Sequence, residues 1–153
     1  MGLSRGHHLK EKILTMVLVD SSAWIELFRR KGDVMVSLAL ENLIEEMQAC
    51  FCGIVRLEVL GGARDDEKTV ISNLFSLIPY LPQTEAVWDE TVRFQWRVRK
   101  HGLNIPWSDA LIAVLANRNG HRIYSRDKHF DALANLGLIQ PYTPGYGGSY
   151  QEA

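Results

Sequence analysis

Four acidic residues lie just after predicted strands or near the start of predicted helices. They are Asp20, Glu58, Asp109 and Asp127. Four carboxylates gathered at one edge of a sheet would repel one another strongly unless cations neutralised them. Carboxylate oxygens are hard ligands, which suit Mg²⁺ or Mn²⁺ far better than zinc. Such ions can activate a water molecule and stabilise a departing oxygen. The four acids therefore predict a divalent metal site, provided that the fold brings them together.

Each of these acids also has a purely structural explanation when it is taken alone. Asp20 could be a turn residue, Asp127 could cap the helix that follows it, and Asp109 could favour the positive end of a helix dipole. Glu58 is harder to explain in this way, because its neighbours in the sequence are mostly apolar. We expect its carboxylate to be semi-buried and therefore to need a proton, a basic side chain or a metal ion.

The strands that would place these acids are indicated by short apolar segments. The predicted strands are 16–19, 49–54, 122–125 and 137–140, and 79–82 is predicted as a turn or a short edge segment. The first of them is a continuous apolar run, which is typical of a strand buried on both faces. Asp20 ends this strand, Glu58 lies one or two helical turns beyond the second, and Asp127 follows the third.

Apolar residues at helical spacing predict the helices between the strands, over 21–31, 33–47, 55–60, 65–77, 84–101, 108–119 and 128–135. Ser21 or Ser22 is expected to cap the first of them, and Ser108 is expected to cap the helix that carries Asp109. Strands that alternate with helices indicate an α/β fold with a mainly parallel sheet. In open sheets of this kind, ligands bind at the carboxyl ends of the strands, where the acids are expected to converge.

Length and composition bound the architecture. The chain has 153 residues, of which 46% are hydrophobic and 23% charged, and this suits one globular domain. We expect that domain over 16–143, with a poorly ordered N-terminal extension over 1–15 and a flexible tail over 144–153. No apolar run approaches the ~20 residues of a membrane helix, so no membrane association is expected.

Charge is distributed unevenly along the chain, although the net charge is only −1. Residues 33–90 hold eleven acids and three bases, whereas residues 91–130 hold two acids and eight bases. This indicates a basic surface for a polyanion such as nucleic acid, although solvated helix faces of different sign would give the same counts. The two cysteines, Cys50 and Cys52, cannot form a disulfide framework, so we expect buried thiols and a cytoplasmic protein.

Four blocks of the sequence match a known family, and each contains one of the acids. They are VLVDSSAWIE at 17–26, GIVRLEVL at 53–60, GLNIPWSDALIA at 102–113 and IYSRDKHF at 123–130. On these blocks the chain resembles the PIN domain family, and in particular the VapC-type ribonuclease toxins of toxin–antitoxin systems. The third block is the most specific, with Pro106 three residues before the acid. The fourth departs slightly, because Ser125 stands where the family more often has Thr.

The resemblance implies a PIN-domain-like three-layer sandwich, in which helices flank a mainly parallel central sheet of four to five strands. The residues that it implies for the site are the metal-binding acids Asp20, Glu58, Asp109 and Asp127, and the carboxylate-orienting hydroxyls of Ser22 and Ser125. The first three acids would be the primary ligands, and Asp127 would complete the cluster directly or through water.

The activity that the resemblance implies is an endoribonuclease that depends on Mg²⁺ or Mn²⁺ and leaves a 5′-phosphate and a 3′-hydroxyl. The implied partners are an RNA substrate, a second copy in a homodimer, and an antitoxin that lays a helix in an apolar groove and brings a basic residue to the acids. Leu38, Leu74 and Phe75 are expected to form such a groove. The alternative is a non-catalytic PIN-like module that binds RNA or protein, which the retention of all four acids disfavours.

The remaining aromatic and imidazole side chains have structural interpretations. The spacing of Trp88, Phe94 and Trp96 on one helix favours the core or a dimer interface over a platform on which bases stack. Three histidines lie among basic residues and are expected on the solvated surface rather than in contact with phosphate; they are His101, His121 and His129.

Overall fold

The computed structural model describes residues 15–145. The predicted extension over 1–15 lies outside the described residues except for its last position, and the predicted tail over 144–153 lies outside them except for its first two positions. Within the described range one sheet is formed by β1 (Val17–Val19), β2 (Ala49–Cys52), β3 (Tyr80–Leu81) and β4 (Arg122–Tyr124). Its order is β3-β2-β1-β4 and every pairing is parallel, which confirms the predicted type of sheet.

Helices connect the strands and follow the last one. Over residues 15–145 they are α1 (Ser21–Phe28), α2 (Val34–Glu45), α3 (Gly53–Gly61), α4 (Lys68–Ser76), α5 (Glu85–Lys100), α6 (Trp107–Arg118) and α7 (Lys128–Asn135). Each crossover between strands contains two of these helices, and α7 follows β4. None of the described helices has both the length and the apolar character needed to cross a membrane.

The order of the strands explains the layers on the two faces of the sheet. From β1 the chain moves outward through β2 to β3, and it then returns to place β4 on the other side of β1. Right-handed crossovers put the helices of the outward path on one face and those of the return path on the other. Accordingly α1 packs on α2 and α3, whereas α5 packs on α6. The result is the expected three-layer α/β sandwich.

The core lies between the sheet and these helices. Trp24 on α1 is fully buried, and its indole N–H donates to the carbonyl of Val19 at 3.1 Å. Phe75 on α4 stacks on Phe51 of β2, with ring centroids 4.6 Å apart. α6 buries every residue from Asp109 to Ala116, so this helix is surrounded by protein on all sides. The acid at its start is therefore held in a fixed position.

The serine caps expected at the start of two helices are not formed. Asp20, and neither of the serines after it, occupies the N-cap position of α1, and the Ser22 hydroxyl turns to the Asp20 carboxylate instead. α6 begins at Trp107 directly behind Pro106, so Ser108 lies inside the first turn rather than capping it. Proline suits this boundary because its fixed φ, here −58°, and its missing N–H cost a helix start nothing.

The strand predicted over 137–140 is not formed. In its place Pro141 makes a single parallel bridge with Ile123. The Ile123 N–H donates to the carbonyl of Gln140 at 2.9 Å, and the Tyr142 N–H donates to the carbonyl of Ile123 at 2.8 Å. These two bonds lie on either side of Pro141, whose missing N–H would point away from Ile123, so the bridge forms without that donor. The sheet keeps four strands in the described range.

Candidate metal centre

Asp20 lies where β1 ends beside β4. Its N–H donates to the carbonyl of Tyr124 at 2.9 Å, so the ends of the two strands are joined at this point. The strand order reverses between β1 and β4, and such a switch point opens a crevice outside the carboxyl ends of the strands. Asp20 is buried in this crevice, with 4% of its surface exposed.

Two serine hydroxyls hold the Asp20 carboxylate. Ser22 and Ser125 each donate to its Oδ2, at 2.8 and 2.9 Å respectively. Each hydroxyl oxygen also accepts a backbone N–H at 2.9 Å, from Arg126 in the case of Ser22 and from Asp127 in the case of Ser125. Since a hydroxyl has only one proton, these bonds fix the direction of both groups and, with them, the orientation of the carboxylate.

Asp109 enters the crevice from the first turn of α6 and is 7% exposed. Its Oδ2 is buried and has no hydrogen-bond partner among residues 15–145. Burial, followed by the nearby carboxylates of Asp127 and Asp20, raises the pKa of Asp109 to about 6. Leaving a buried polar atom unsatisfied costs about 1–3 kcal/mol, so native proteins rarely keep one without a reason.

Asp127 is the N-cap residue of α7 and is the third acid, after Asp20 and Asp109, that lies in the crevice. Its Oδ1 accepts the backbone N–H of His129 at 2.9 Å, which confirms the capping interpretation. The same side chain is also close to Asp109, because Asp109, Asp127 and His129 each offer one ligand atom within 4.8 Å of the other two. The structural and the functional interpretation of Asp127 therefore do not exclude each other.

Glu58 is exposed rather than semi-buried, which corrects the expectation from its apolar neighbours. The reason is the direction of α3, which packs Val59 into the core but leaves Leu57 72% exposed. The pKa of Glu58 is raised, first by partial desolvation and then by the Asp20 carboxylate, while a hydrogen bond from the Ser21 hydroxyl opposes the rise. Glu58 therefore shares the electrostatic environment of the crevice from its open side.

His129 belongs to this group although its sequence context suggests solvated surface. Its Nδ1 lies 2.8 Å from Oδ1 of Asp127 and 3.2 Å from Oδ2 of Asp109. His121 is buried as well, and of the three histidines only His101 is exposed as expected. The sequence holds one signal for His129: it follows an N-cap acid by two residues, which places both side chains on the first turn of the helix.

The donor atoms of this group suit a divalent cation. An ion would satisfy the unpartnered Oδ2 of Asp109 and would neutralise the repulsion among carboxylates that raises the pKa of that residue. The expected primary set is Asp20, Glu58 and Asp109, with Asp127 completing it. Within residues 15–145, the closest grouping instead joins Asp109 and Asp127 to His129.

A cavity of about 410 Å³ opens beside Glu58, between α1, α3 and α4. Its apolar walls include Ile25, Phe28, Val59 and Ile71. None of the three residues expected to form a groove, Leu38, Leu74 and Phe75, lines this cavity. Leu38 is exposed as expected, whereas Phe75 is not. Phe75 packs into the core against β2, because α4 turns that side chain inward.

The parallel sheet in this order, with acids gathered where β1 and β4 end, defines the class of protein as an α/β fold of the PIN type. The family model of the PIN domain matches residues 17–136. The chain belongs to the PIN domain family.

Among named relatives, ribonuclease VapC11 of Mycobacterium tuberculosis is 34% identical over 130 residues, which cover 82% of this chain and 96% of that protein. A VapC ribonuclease of Mycobacterium bovis matches with the same identity and coverage.

Solved structures resemble the fold over most of its length. FitAcB from Neisseria gonorrhoeae has a TM-score of 0.69 at 22% identity and covers 84% of this chain and 97% of its own. A toxin–antitoxin complex from Klebsiella pneumoniae has a TM-score of 0.66 at 20% identity, with coverages of 82% and 98%. At these identities the likeness shows a shared fold.

Proposed function

We propose that this protein is a metal-dependent endoribonuclease that hydrolyses RNA phosphodiester bonds, and that it is the toxin of a type II toxin–antitoxin pair. The observation that carries the proposal is the buried Asp109 carboxylate, whose Oδ2 has no hydrogen-bond partner in the described chain and lies among other acids. A divalent cation is the partner that this oxygen lacks. Kinship with ribonuclease VapC11, at 34% identity, supports RNA as the substrate.

The residues proposed to hold the ion, Mg²⁺ or Mn²⁺, are Asp20, Glu58 and Asp109, with Asp127 completing the set directly or through water. When bound, such an ion supplies positive charge that lowers the pKa of water and stabilises the charge that develops on a phosphate during hydrolysis. The carboxylates of the chain contribute the negative charge that attracts the ion and the fixed directions in which their oxygens point.

Ser22 and Ser125 are proposed to position Asp20 and not to act as nucleophiles. Each gives its only proton to the Asp20 carboxylate, and each is held in place by a backbone N–H. A reaction without a protein nucleophile is direct hydrolysis, in which water attacks the phosphorus. The family resemblance implies that the bond to the 3′-oxygen breaks, and this would leave a 5′-phosphate and a 3′-hydroxyl.

The RNA is proposed to reach the acids across the start of α6 and of α7. Trp107 is 62% exposed two residues before Asp109, which suits an indole on which a base can stack. Lys128 is exposed next to Asp127 and can offer its ammonium group to a backbone phosphate.

The cavity beside Glu58 is proposed as the site of the antitoxin. Its apolar walls suit one face of a helix, and Glu58 at its edge would let that helix bring a basic residue to the acids. Toxin–antitoxin complexes among the structures of the same fold support such a partner.

We also propose that the protein forms a homodimer and works in the cytoplasm, where the free, buried thiols of Cys50 and Cys52 would stay reduced.

The decisive experiment is cleavage of a structured RNA by protein that has been freed of any copurifying partner. We expect cleavage with Mg²⁺ or Mn²⁺, none with EDTA, and a loss of at least about a hundredfold in the Asp20→Asn and Asp109→Asn variants, which is more than the loss of a supporting residue costs. The new RNA ends should carry 5′-phosphate, which ligation to an adaptor detects.

Glu41→Gln is the matched control, because Glu41 is an exposed acid on α2 outside the crevice. Its activity should equal that of the wild type. If Asp20→Asn and Asp109→Asn cut as well as the wild type, the site assignment is wrong. If the wild type binds RNA and cuts none with either metal, the protein is the non-catalytic binding module instead.

A further inference from the structure

His129 presents a ring nitrogen to the acids without forming a hydrogen bond to them. Its Nδ1 is 2.8 Å from Oδ1 of Asp127 and 3.2 Å from Oδ2 of Asp109, yet neither contact has hydrogen-bond geometry. Nδ1 and the Asp109 oxygen are both buried atoms with no hydrogen-bond partner in residues 15–145. Two unsatisfied polar atoms that face each other need a third group between or beside them.

An ion pair between His129 and the two acids fits these distances but leaves Nδ1 and Oδ2 of Asp109 without a hydrogen bond. As the side chains lie, an imidazolium N–H at Nδ1 makes no hydrogen bond to either oxygen. A cation has no such directional demand, since it accepts lone pairs from nitrogen and oxygen alike. The ligand atoms of Asp109, Asp127 and His129 lie within 4.8 Å of one another, which is close enough for one ion to touch all three.

The position of His129 is fixed by the local structure of α7. Asp127 accepts the backbone N–H of His129 at 2.9 Å, so the first turn of the helix is capped and rigid. Phe130 and Leu133 on the same helix are buried and hold it against the core. The imidazole is therefore presented to the crevice by an anchored helix and not by a mobile loop.

We propose that His129 is a nitrogen ligand of the divalent ion, bound through Nδ1 together with Asp109 and Asp127, and that it makes the site prefer Mn²⁺ to Mg²⁺. This inference rests on the metal site of the proposed function and adds a ligand to it. Imidazole nitrogen is a softer donor than carboxylate oxygen, and Mg²⁺ takes oxygen ligands almost exclusively. A mixed set of one nitrogen and several oxygens therefore favours the transition metal.

The test is electron paramagnetic resonance of Mn²⁺ bound to the full chain without RNA. Pulsed spectra should show a ¹⁴N coupling to Mn²⁺ in the wild type and in His101→Asn, whose exposed histidine serves as the control. His129→Asn can place an amide oxygen near the position of Nδ1, so it should still bind Mn²⁺ but lose the imidazole ¹⁴N coupling. Titrations should show Mn²⁺ affinity falling at least about tenfold in His129→Ala, with Mg²⁺ affinity changing much less.

The outcomes separate this inference from the proposed function. If Mn²⁺ binds to the wild type and Asp109→Asn abolishes binding, but no imidazole coupling is seen, the metal site stands and the role of His129 is overturned. An unchanged coupling in His129→Asn, in protein with a wild-type circular dichroism spectrum, would overturn it equally. If the wild type binds neither metal, both proposals fail.

Discussion

The position of Asp109 lowers the stability of the metal-free fold, although the same position suits a metal ligand. An acid in the first turn of a helix normally gains about 0.3–1 kcal/mol from the helix dipole. Here burial and the neighbouring carboxylates outweigh that gain, because they raise the pKa of Asp109 from 3.8 to about 6. Ionising the group in the metal-free fold therefore costs on the order of 2–3 kcal/mol, which is a large part of the stability of a small domain.

We predict that Asp109→Asn stabilises the metal-free protein. Because the folded pKa lies above the unfolded one, the wild type is destabilised as pH rises through the window from 3.8 to about 6, and the full penalty is present at pH 7.5. In EDTA at pH 7.5 the variant should unfold with a free energy on the order of 1–3 kcal/mol above that of the wild type. Urea titrations measure the difference, which should shrink as pH falls toward 4.

Glu41→Gln again serves as the control and should leave the free energy of unfolding unchanged, because Glu41 lies on the exposed surface of α2. A variant Asp109→Asn that is less stable than the wild type in EDTA at every pH would contradict the electrostatic explanation.

At the scale of elements, what the sequence predicts depends on whether the deciding interactions are local. α7 is predicted with both of its ends, because the Asp127 cap and the glycine after its last turn, Gly137 with φ of 71°, are signals carried by adjacent residues. The exposure of Glu58 and the burial of Phe75 depend on how α3 and α4 pack, which no local pattern records. His129 is missed for the same reason, since only the fold brings it to Asp109.

The element that carries Asp20 is short and is held partly by a histidine. β1 spans only Val17–Val19, and the backbone N–H of Met16 just before it donates to Nδ1 of His121 at 3.0 Å. His121 is 4% exposed, and burial lowers its pKa below the usual 6.5. The fold therefore needs the neutral imidazole, whose Nδ1 accepts, at the point where α6 leads into β4.

We predict that mild acid weakens the fold through His121. Since the folded pKa is lowered, protons bind preferentially to the unfolded chain, and stability falls as pH drops below 6.5. His121→Asn offers an acceptor that does not titrate. Between pH 7.5 and 5.5 the wild type should therefore lose up to about 1.4 kcal/mol more free energy of unfolding than this variant.

The wild type and His121→Asn both contain Asp109. Its contribution to the free energy of unfolding changes with pH in the opposite direction over part of this range, and it cancels when the two proteins are compared. Urea titrations at the two pH values give the measurement, and His101→Asn, with its exposed imidazole, should follow the wild type. Parallel pH profiles for the wild type and His121→Asn would show that His121 does not matter.

At the scale of the whole molecule, charge that is separated along the chain is partly rejoined in space. Two bases of the segment 91–130 pair with acids of the segment 33–90: Arg118 with Glu90 at 3.0 Å, and Arg126 with Asp33 at 2.6 Å. The basic surface expected for a polyanion is therefore smaller than the sequence counts indicate. The Arg126 pair also ties the loop that follows β4 to the start of α2, next to the crevice.

The outer face of α5 carries an apolar stripe. Trp88, Val92 and Trp96 are spaced four residues apart on this helix and are 44%, 50% and 58% exposed, whereas Phe94 is buried. The aromatic spacing favours the core or a dimer interface: Phe94 lies in the core, and the two tryptophans lie on the surface. Contiguous exposed apolar patches are typical of interaction surfaces, and we predict that a second copy of the chain covers this one by symmetry.

We therefore predict that Trp96→Glu converts a dimer into a monomer. Light scattering after gel filtration should give the wild type twice the chain mass of 17.4 kDa and the variant one chain mass, because a buried carboxylate without a partner disfavours the interface. The Trp96 side chain is more than half exposed, so the fold and the thermal midpoint of the monomer should change little.

Leu77→Glu is the control, since Leu77 is an exposed apolar residue outside α5 and should leave the dimer intact. A monomeric wild type, or a dimer that survives Trp96→Glu, would remove α5 as the dimer interface and leave its tryptophans to another partner.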